Sequence, residues 1–141
     1  MELTRRQTLA VGAGAAVALA FPLPALAEDN GHAEVIKAFT GGAEIREGIV
    51  EIDAPEIAEN GNNVPVEVMA EGASSIILVS PGNPRPEIAT FHFGKLAAAP
   101  AAKTRIRLAQ TQELIAVAKL EDGSFAQASR TVKVTIGGCG G

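Results

Sequence analysis

The chain has 141 residues, with 12 Lys and Arg against 16 Asp and Glu and a net charge of −4. That length fits one domain at most, plus a leader. A mildly acidic chain without a basic cluster offers little to phosphates, so nucleic acid is excluded as an expected partner. The chain has no Trp and no Tyr, so its core must be mostly aliphatic, and a domain of this size buries a usable core without a large margin.

Residues 1–27 read as an export signal. Arg5-Arg6 in TRRQTLA precedes an apolar stretch, 9–21, rich in Ala and Gly. Pro22 and Pro24 follow, and Ala25-Leu26-Ala27 supplies the small-x-small pattern of a cleavage site. The twin arginines assign the signal to the twin-arginine route, which makes the periplasm the expected location. The apolar stretch is too short to span ~30 Å of hydrocarbon as a helix, and no later segment is suited to crossing a membrane. The mature chain is expected to start at Glu28, with residues 28–136 as a β-sandwich domain and 137–141 as a terminal arm.

In HAEVIKAF (32–39), Val35, Ile36 and Phe39 lie on one face of a short helix. Asn30 is its expected N-cap and Gly41-Gly42 its stop. After Gly48 the period becomes alternating. Residues 49–52 read as a strand with Val50 and Ile52 on one face, ended by Asp53-Ala54-Pro55. ENGNN (59–63) is the strongest turn signal, with Asn60-Gly61 suited to positive φ. Val64, Val66 and Val68 then point inward. Pro65 confines its part of that strand to an edge or a strand start, since proline donates no ladder bond.

SIILV (75–79) is a continuous apolar run and the central-strand candidate. Three prolines and a glycine make 80–86 a loop. Residues 88–93 alternate, with Ala89, Phe91 and Phe93 opposite Ile88, Thr90 and His92. KLAAAPAA (95–102) reads as a connector with room for one helical turn. Thr104, Ile106 and Leu108 share a side opposite Arg105 and Arg107, and Leu114, Ala116, Ala118 and Leu120 share another. Asp122-Gly123 predicts a type I′ hairpin. Phe125 starts the return strand, and Val132, Val134 and Ile136 alternate to its end. Seven or eight short strands predict an all-β fold, an immunoglobulin-like antiparallel β-sandwich with a short N-terminal helix. A small Greek-key barrel fits the same pattern nearly as well.

The single cysteine stands in Gly137-Gly138-Cys139-Gly140-Gly141. Exported proteins meet an oxidising compartment in which cysteines usually pair, so one unpaired cysteine signals an intermolecular bond or a reactive thiol. Glycine on both sides leaves the backbone nearly unrestricted and the segment thin. Extended, it places the thiol roughly 10 Å beyond Ile136, far enough to enter a narrow channel in another protein. The arm brings no activating group. An ordinary thiol titrates near ~8.5, so only a few per cent is thiolate at neutrality. Cys139 therefore reads as an attachment point activated by whatever receives it. A plain tail whose cysteine only cross-links two chains is the alternative reading. A ubiquitin-like use of the terminal glycines fits poorly with export and with the absence of a helix between hairpins.

His32 and His92 are lone histidines with no ligand spacing, so no metal and no other cofactor is expected. Arg105 and Arg107 share a strand face that could meet a partner, and an ordinary exposed strand face explains them equally well. No arrangement of catalytic residues is visible, and the chain is not expected to be an enzyme.

The twin-arginine signal, the small β-sandwich and the terminal GGCGG together resemble the SoxY family of sulfur carriers in the bacterial thiosulfate-oxidising (Sox) system. ENGNNVPVEV (59–68), Asn83-Pro84, FHFG (91–94), TRIRLAQTQELIAVAKLEDGSF (104–125) and VTIGGCGG (134–141) carry the resemblance. It implies that Cys139 is the covalent sulfur attachment site, with Gly137, Gly138, Gly140 and Gly141 as its swinging arm. It implies SoxZ, a second β-sandwich protein, as heterodimer partner, and transient visits to SoxXA, SoxB and SoxCD. Thiosulfate would be coupled to the cysteine by the c-type cytochrome SoxXA, sulfate hydrolysed off by SoxB, and the remaining sulfur oxidised by SoxCD. The protein alone is expected to homodimerise, partly through a Cys139 disulfide.

Overall fold

A computed structural model describes residues 31–137 of the chain. One helix, α1 (His32–Thr40), precedes nine strands: β1 (Ile45–Glu47), β2 (Val50–Asp53), β3 (Ile57–Ala58), β4 (Val64–Ala70), β5 (Ala73–Val79), β6 (Glu87–His92), β7 (Ala101–Ile106), β8 (Gln112–Leu120) and β9 (Phe125–Val134). They form two sheets. The larger has the order β1-β9-β8-β5-β6, with β3 also paired to β9, and the smaller has the order β2-β4-β7. This is the expected immunoglobulin-like sandwich and not a closed barrel. Residues 138–141 of the expected arm, and residues 1–30, which include the expected leader, lie outside the described residues.

Valines at alternate positions of β4 explain how the layers meet. Val64, Val66, Val68 and Ala70 are buried, as are Ile76, Leu78, Leu114, Ala116 and Ala118 of the facing sheet. These aliphatic side chains form the main core between the sheets. Pro65 falls at the start of β4. It pairs there with Arg105 of β7, while β2 reaches only as far as Glu67 on the other side. The missing amide therefore interrupts no ladder.

The unbroken apolar run of β5 has a separate cause. Ile76 and Leu78 face the sandwich interior, whereas Ile77 and Val79 join Val117 and Phe125 in a second cluster on the outer face. Helix α1 covers that cluster with Val35, Ile36 and Phe39, the three residues that the helical spacing singles out. Phe39 meets Phe125 edge-on, with ring centroids 6.0 Å apart at 71°. The helix stops at Gly41, whose φ of 67° is left-handed. Its N-cap is Gly31 and not Asn30, and no side chain caps it.

Several local expectations change in the structure. Residues 45–47 and 57–58 form β1 and β3, too short to show a period in sequence. Both pair parallel to β9, β1 at its beginning (Ile45↔Phe125) and β3 at its end (Ala58↔Val134). Between them the chain crosses to the smaller sheet as β2, and the open edge of β9 is covered from both ends. Ile88 packs against the main core with Phe91 and Phe93, and not with Thr90 and His92 on the opposite face. A register shift between Leu78 and Val79 leaves Ile88 as the extra residue on β6 and turns it inward. Residues 94–100 contain turns but no helix.

Asp122-Gly123 does make the β8–β9 hairpin, but with only Gly123 at positive φ (84°). The Gly123 amide donates to Leu120 O at 3.0 Å, and the Leu120 amide donates to Ser124 O at 2.8 Å. That is the longer hairpin built on a type I turn followed by a left-handed glycine, not type I′. The larger loop allows the Asp122 carboxylate to accept from the Ser124 amide (2.8 Å) and hydroxyl (2.5 Å). Neither Asn60 nor Gly61 has positive φ. Asn60 instead closes its turn with its side chain, which accepts from the Asn62 amide at 2.9 Å.

Candidate functional site

Of the five arm residues, Gly137 is described, while Gly138, Cys139, Gly140 and Gly141 lie outside the described residues. The site the structure defines is therefore the root of the arm. β9 ends as a strand at Val134, two residues before the expected end, yet its backbone stays anchored further. The Lys133 amide donates to Glu56 O (2.8 Å) and the Thr135 amide to Ala58 O (3.0 Å). Ile136 O accepts from the Gly61 amide at 2.8 Å, and Gly61 O accepts from the Leu108 amide at 2.8 Å. Gly61 is thus buried as a backbone bridge between the end of β9 and the segment after β7.

The other side of the root is closed by residues 109–111. The Val134 amide donates to the Thr111 hydroxyl at 2.9 Å. Gly137 lies directly on the Ala109 carbonyl, and a Cβ at 137 would fall inside the van der Waals shell of that oxygen. Glycine is required here for close approach of two backbones.

What holds Ala109 in place comes from the triple-proline loop. Asn83 Oδ1 accepts from the Ala109 amide at 2.9 Å, and its Nδ2 donates to Arg107 O at 2.7 Å. Gln112 Nε2 donates to the same Asn83 oxygen at 3.0 Å and to Gln110 O at 3.2 Å. Gln112 Oε1 accepts from the Gly82 amide at 2.8 Å and from the Ser80 hydroxyl. Ser80, Asn83 and Gln112 are all buried. Among the described residues no buried side-chain nitrogen or oxygen lacks a partner, so the cluster avoids the cost of orphaned polar groups. Gly82 belongs to it sterically as well, since a Cβ there would meet the Gln112 side chain at 2.9 Å.

Sequence reasoning missed this cluster. Asn83-Pro84 was visible only as a point of resemblance, and nothing local to residues 80–86 shows that Asn83 reaches backbone groups near 107–109. The remaining candidates stay apart from the root. His32 opens α1 and His92 closes β6. Arg105 is exposed and donates to Asn63 Oδ1 at 3.2 Å. It borders a groove of about 590 Å³ on the smaller sheet's outer face, with Asp53, Pro65 and the ion pair Lys103–Glu67 (3.0 Å). Among the described residues no group of three or more His, Cys, Asp or Glu could hold a metal ion. Asp122, held below the ordinary carboxylate range first by the Ser124 hydroxyl and then by the Ser124 amide, sits at the opposite end of β9. Ten strand residues, roughly 30 Å, separate it from the root.

Comparison with known proteins identifies the family. Residues 36–139 match the family described as sulfur oxidation protein SoxY. The structure of the sulfur carrier protein SoxY from Chlorobium limicola f thiosulfatophilum is similar at 38% identity, with a TM-score of 0.65 over 74% of this chain and 96% of that one. Superoxide reductase (neelaredoxin) from Ignicoccus hospitalis shares the fold alone, at 20% identity and a TM-score of 0.54 over 62% and 80% of the two chains. The same holds for a superoxide reductase variant from Archaeoglobus fulgidus, at 13% identity and a TM-score of 0.51 over 60% and 87%. No curated protein matches the chain. The match over 36–139 and the 38% identity across the sandwich together establish that the chain belongs to the SoxY family of sulfur oxidation proteins.

Proposed function

We propose that the protein carries sulfur intermediates covalently on Cys139 during periplasmic thiosulfate oxidation and presents them to partner enzymes. The observation that carries this reading is the placement of the chain's one cysteine. It lies two residues past a root that three backbone segments hold, between glycines, and the family match runs as far as residue 139. A thiol between glycines has no built-in acid or base beside it in sequence. It suits a handle worked on by several active sites better than a nucleophile with one task.

The chemistry follows in two balanced steps. Cys139 sulfur bonds to the outer sulfur of thiosulfate. The thiol proton leaves, and two electrons pass to the c-type cytochrome SoxXA, giving a cysteine S-thiosulfonate. Water then attacks the sulfonate sulfur in SoxB. The bond between the two thiosulfate-derived sulfurs breaks and sulfate departs, leaving a persulfide on Cys139. SoxCD is the expected oxidant of that remaining sulfur. The two electrons come from the Cys139 sulfur and the outer thiosulfate sulfur together and leave through the cytochrome, and no general base lies beside the thiol in sequence, so the proposed role is that of a carrier acted on by its partners.

SoxZ is the proposed heterodimer partner. Exposed Ile49, Ile57, Met69 and Ile136 leave apolar surface on a sandwich that is poor in aromatic residues. The twin-arginine signal at 1–27 is the proposed export route, and it moves folded cargo, so a partner without a signal of its own can travel with the carrier. The test is reconstitution with SoxZ, SoxXA and SoxB. Thiosulfate-dependent cytochrome reduction is expected to disappear with Cys139→Ser while the sandwich keeps its melting temperature. Undiminished reduction by Cys139→Ser contradicts the reading.

A further inference from the structure

We infer that the buried Ser80–Asn83–Gln112 cluster is a positioning device for the arm, acting through residues 107–111 on Gly137, so that the freedom of the thiol is counted from Gly137 and not from the end of β9. The inference deepens the carrier reading and rests on it for its purpose, though not for its test.

Three contacts in series carry it. Asn83 uses both ends of its amide on backbone, the Arg107 carbonyl and the Ala109 amide. Those two bonds hold the 107–108 and 108–109 peptides, and Gln112 Nε2 on the Gln110 carbonyl holds the 110–111 peptide, so the 109–110 peptide that carries the Ala109 carbonyl is held from both sides. Gly137 rests on that carbonyl so closely that no side chain fits between. Gly61 then closes the ring, accepting Leu108 from the same segment and donating to Ile136. A shift of 107–111 would move both clamps on the root at once. The segment resists such a shift because moving it would strand buried donors and acceptors of Asn83 and Gln112.

The consequence concerns reach. Counted from Ile136 the thiol can stand about 10 Å away, but counted from Gly137 it has at most about 7 Å. A shorter tether on a fixed root confines the thiol to a smaller volume beside one end of the sandwich. That raises its effective concentration at the mouth of any enzyme docked there. Gly137 is then held at the root, not a swinging residue. Ser80, Asn83 and Gln112 are positioning residues that touch no substrate.

Cys139 is the only cysteine in the chain, so it takes a nitroxide label directly. A second label at Lys119→Cys, on an exposed position of β8, completes a distance pair. Pulsed electron paramagnetic resonance on the full mature chain reads the distance distribution. Asn83→Ala and Gly137→Ala are expected to shift and broaden it, whereas Ile77→Ala, which opens the helix-side core, is expected to lower the melting temperature without broadening it. Should Asn83→Ala not fold, Gln112→Ala is a second variant of the cluster and is expected to act in the same direction. A wild-type distribution in folded Asn83→Ala, Gln112→Ala or Gly137→Ala overturns the inference. So does equal broadening by Ile77→Ala. The labels report position whether or not Cys139 carries sulfur, so failure here and failure of the carrier reading are separate results.

Discussion

Asn83 bonds to backbone groups 24 and 26 residues away, and this is the kind of residue role that sequence hides. An asparagine before a proline reads as a turn residue, and it is one. Its amide happens also to be the buried link between two loops. Gly137 is a related case. Flanked by a second glycine and the cysteine, it reads as part of a flexible arm, yet its lack of a side chain is used for contact with Ala109. Asp122 was legible as a turn residue, but not as an acceptor of two Ser124 bonds, because that depends on the turn type. Those bonds depress its folded pKa below the ordinary value near ~3.9. A depressed carboxylate contributes stability that is fully present above the unfolded pKa and is lost as pH falls through the folded one. Asp122→Asn is therefore expected to lower the melting temperature at pH 7. The gap to wild type should close progressively below about pH 4. A gap that persists unchanged at pH 2 to 3 would show that the carboxylate's charge plays no part.

At the scale of elements, legibility followed the length of each periodic run. β5 and β8 stood out because one holds the apolar run 75–79 and the other places Leu114, Ala116, Ala118 and Leu120 on one side. Helix α1 was legible from Val35, Ile36 and Phe39, although its cap was not. β1 and β3, at three and two residues, carry no period and exist only through pairing with β9. The inward turn of Ile88 depends on a bulge relative to β5, which no property of β6 announces. Helix docking yields a direct prediction. Phe39 is the helix's contact with Phe125 over the outer cluster. Phe39→Ala is expected to cost about 2–3 kcal/mol in urea unfolding, below the usual range for a fully buried Phe because this ring is partly exposed. A loss under about 0.5 kcal/mol, within the range of a neutral surface change, would mean that the helix is not fastened by that face.

For the whole molecule, the sandwich serves as a rigid base. Two sheets bury an aliphatic core, a helix seals one outer face, and the chain's last strand is fastened along both its ends. In sequence the proposed carrier role rests on GGCGG at 137–141 and on the family resemblance, not on the residues that make the sandwich. How the root of the arm is held was not legible, because it depends on contacts between residues 61, 83, 109 and 137 that only the fold brings together. The most direct test is intact mass spectrometry, with fragmentation of the C-terminal peptide, on the carrier purified without reductant from thiosulfate-grown cells. Adducts heavier by one or more sulfurs or by a thiosulfonate group, localised to Cys139 and absent from Cys139→Ser, are the predicted result. Free thiol or a plain disulfide dimer under every growth condition would contradict the account.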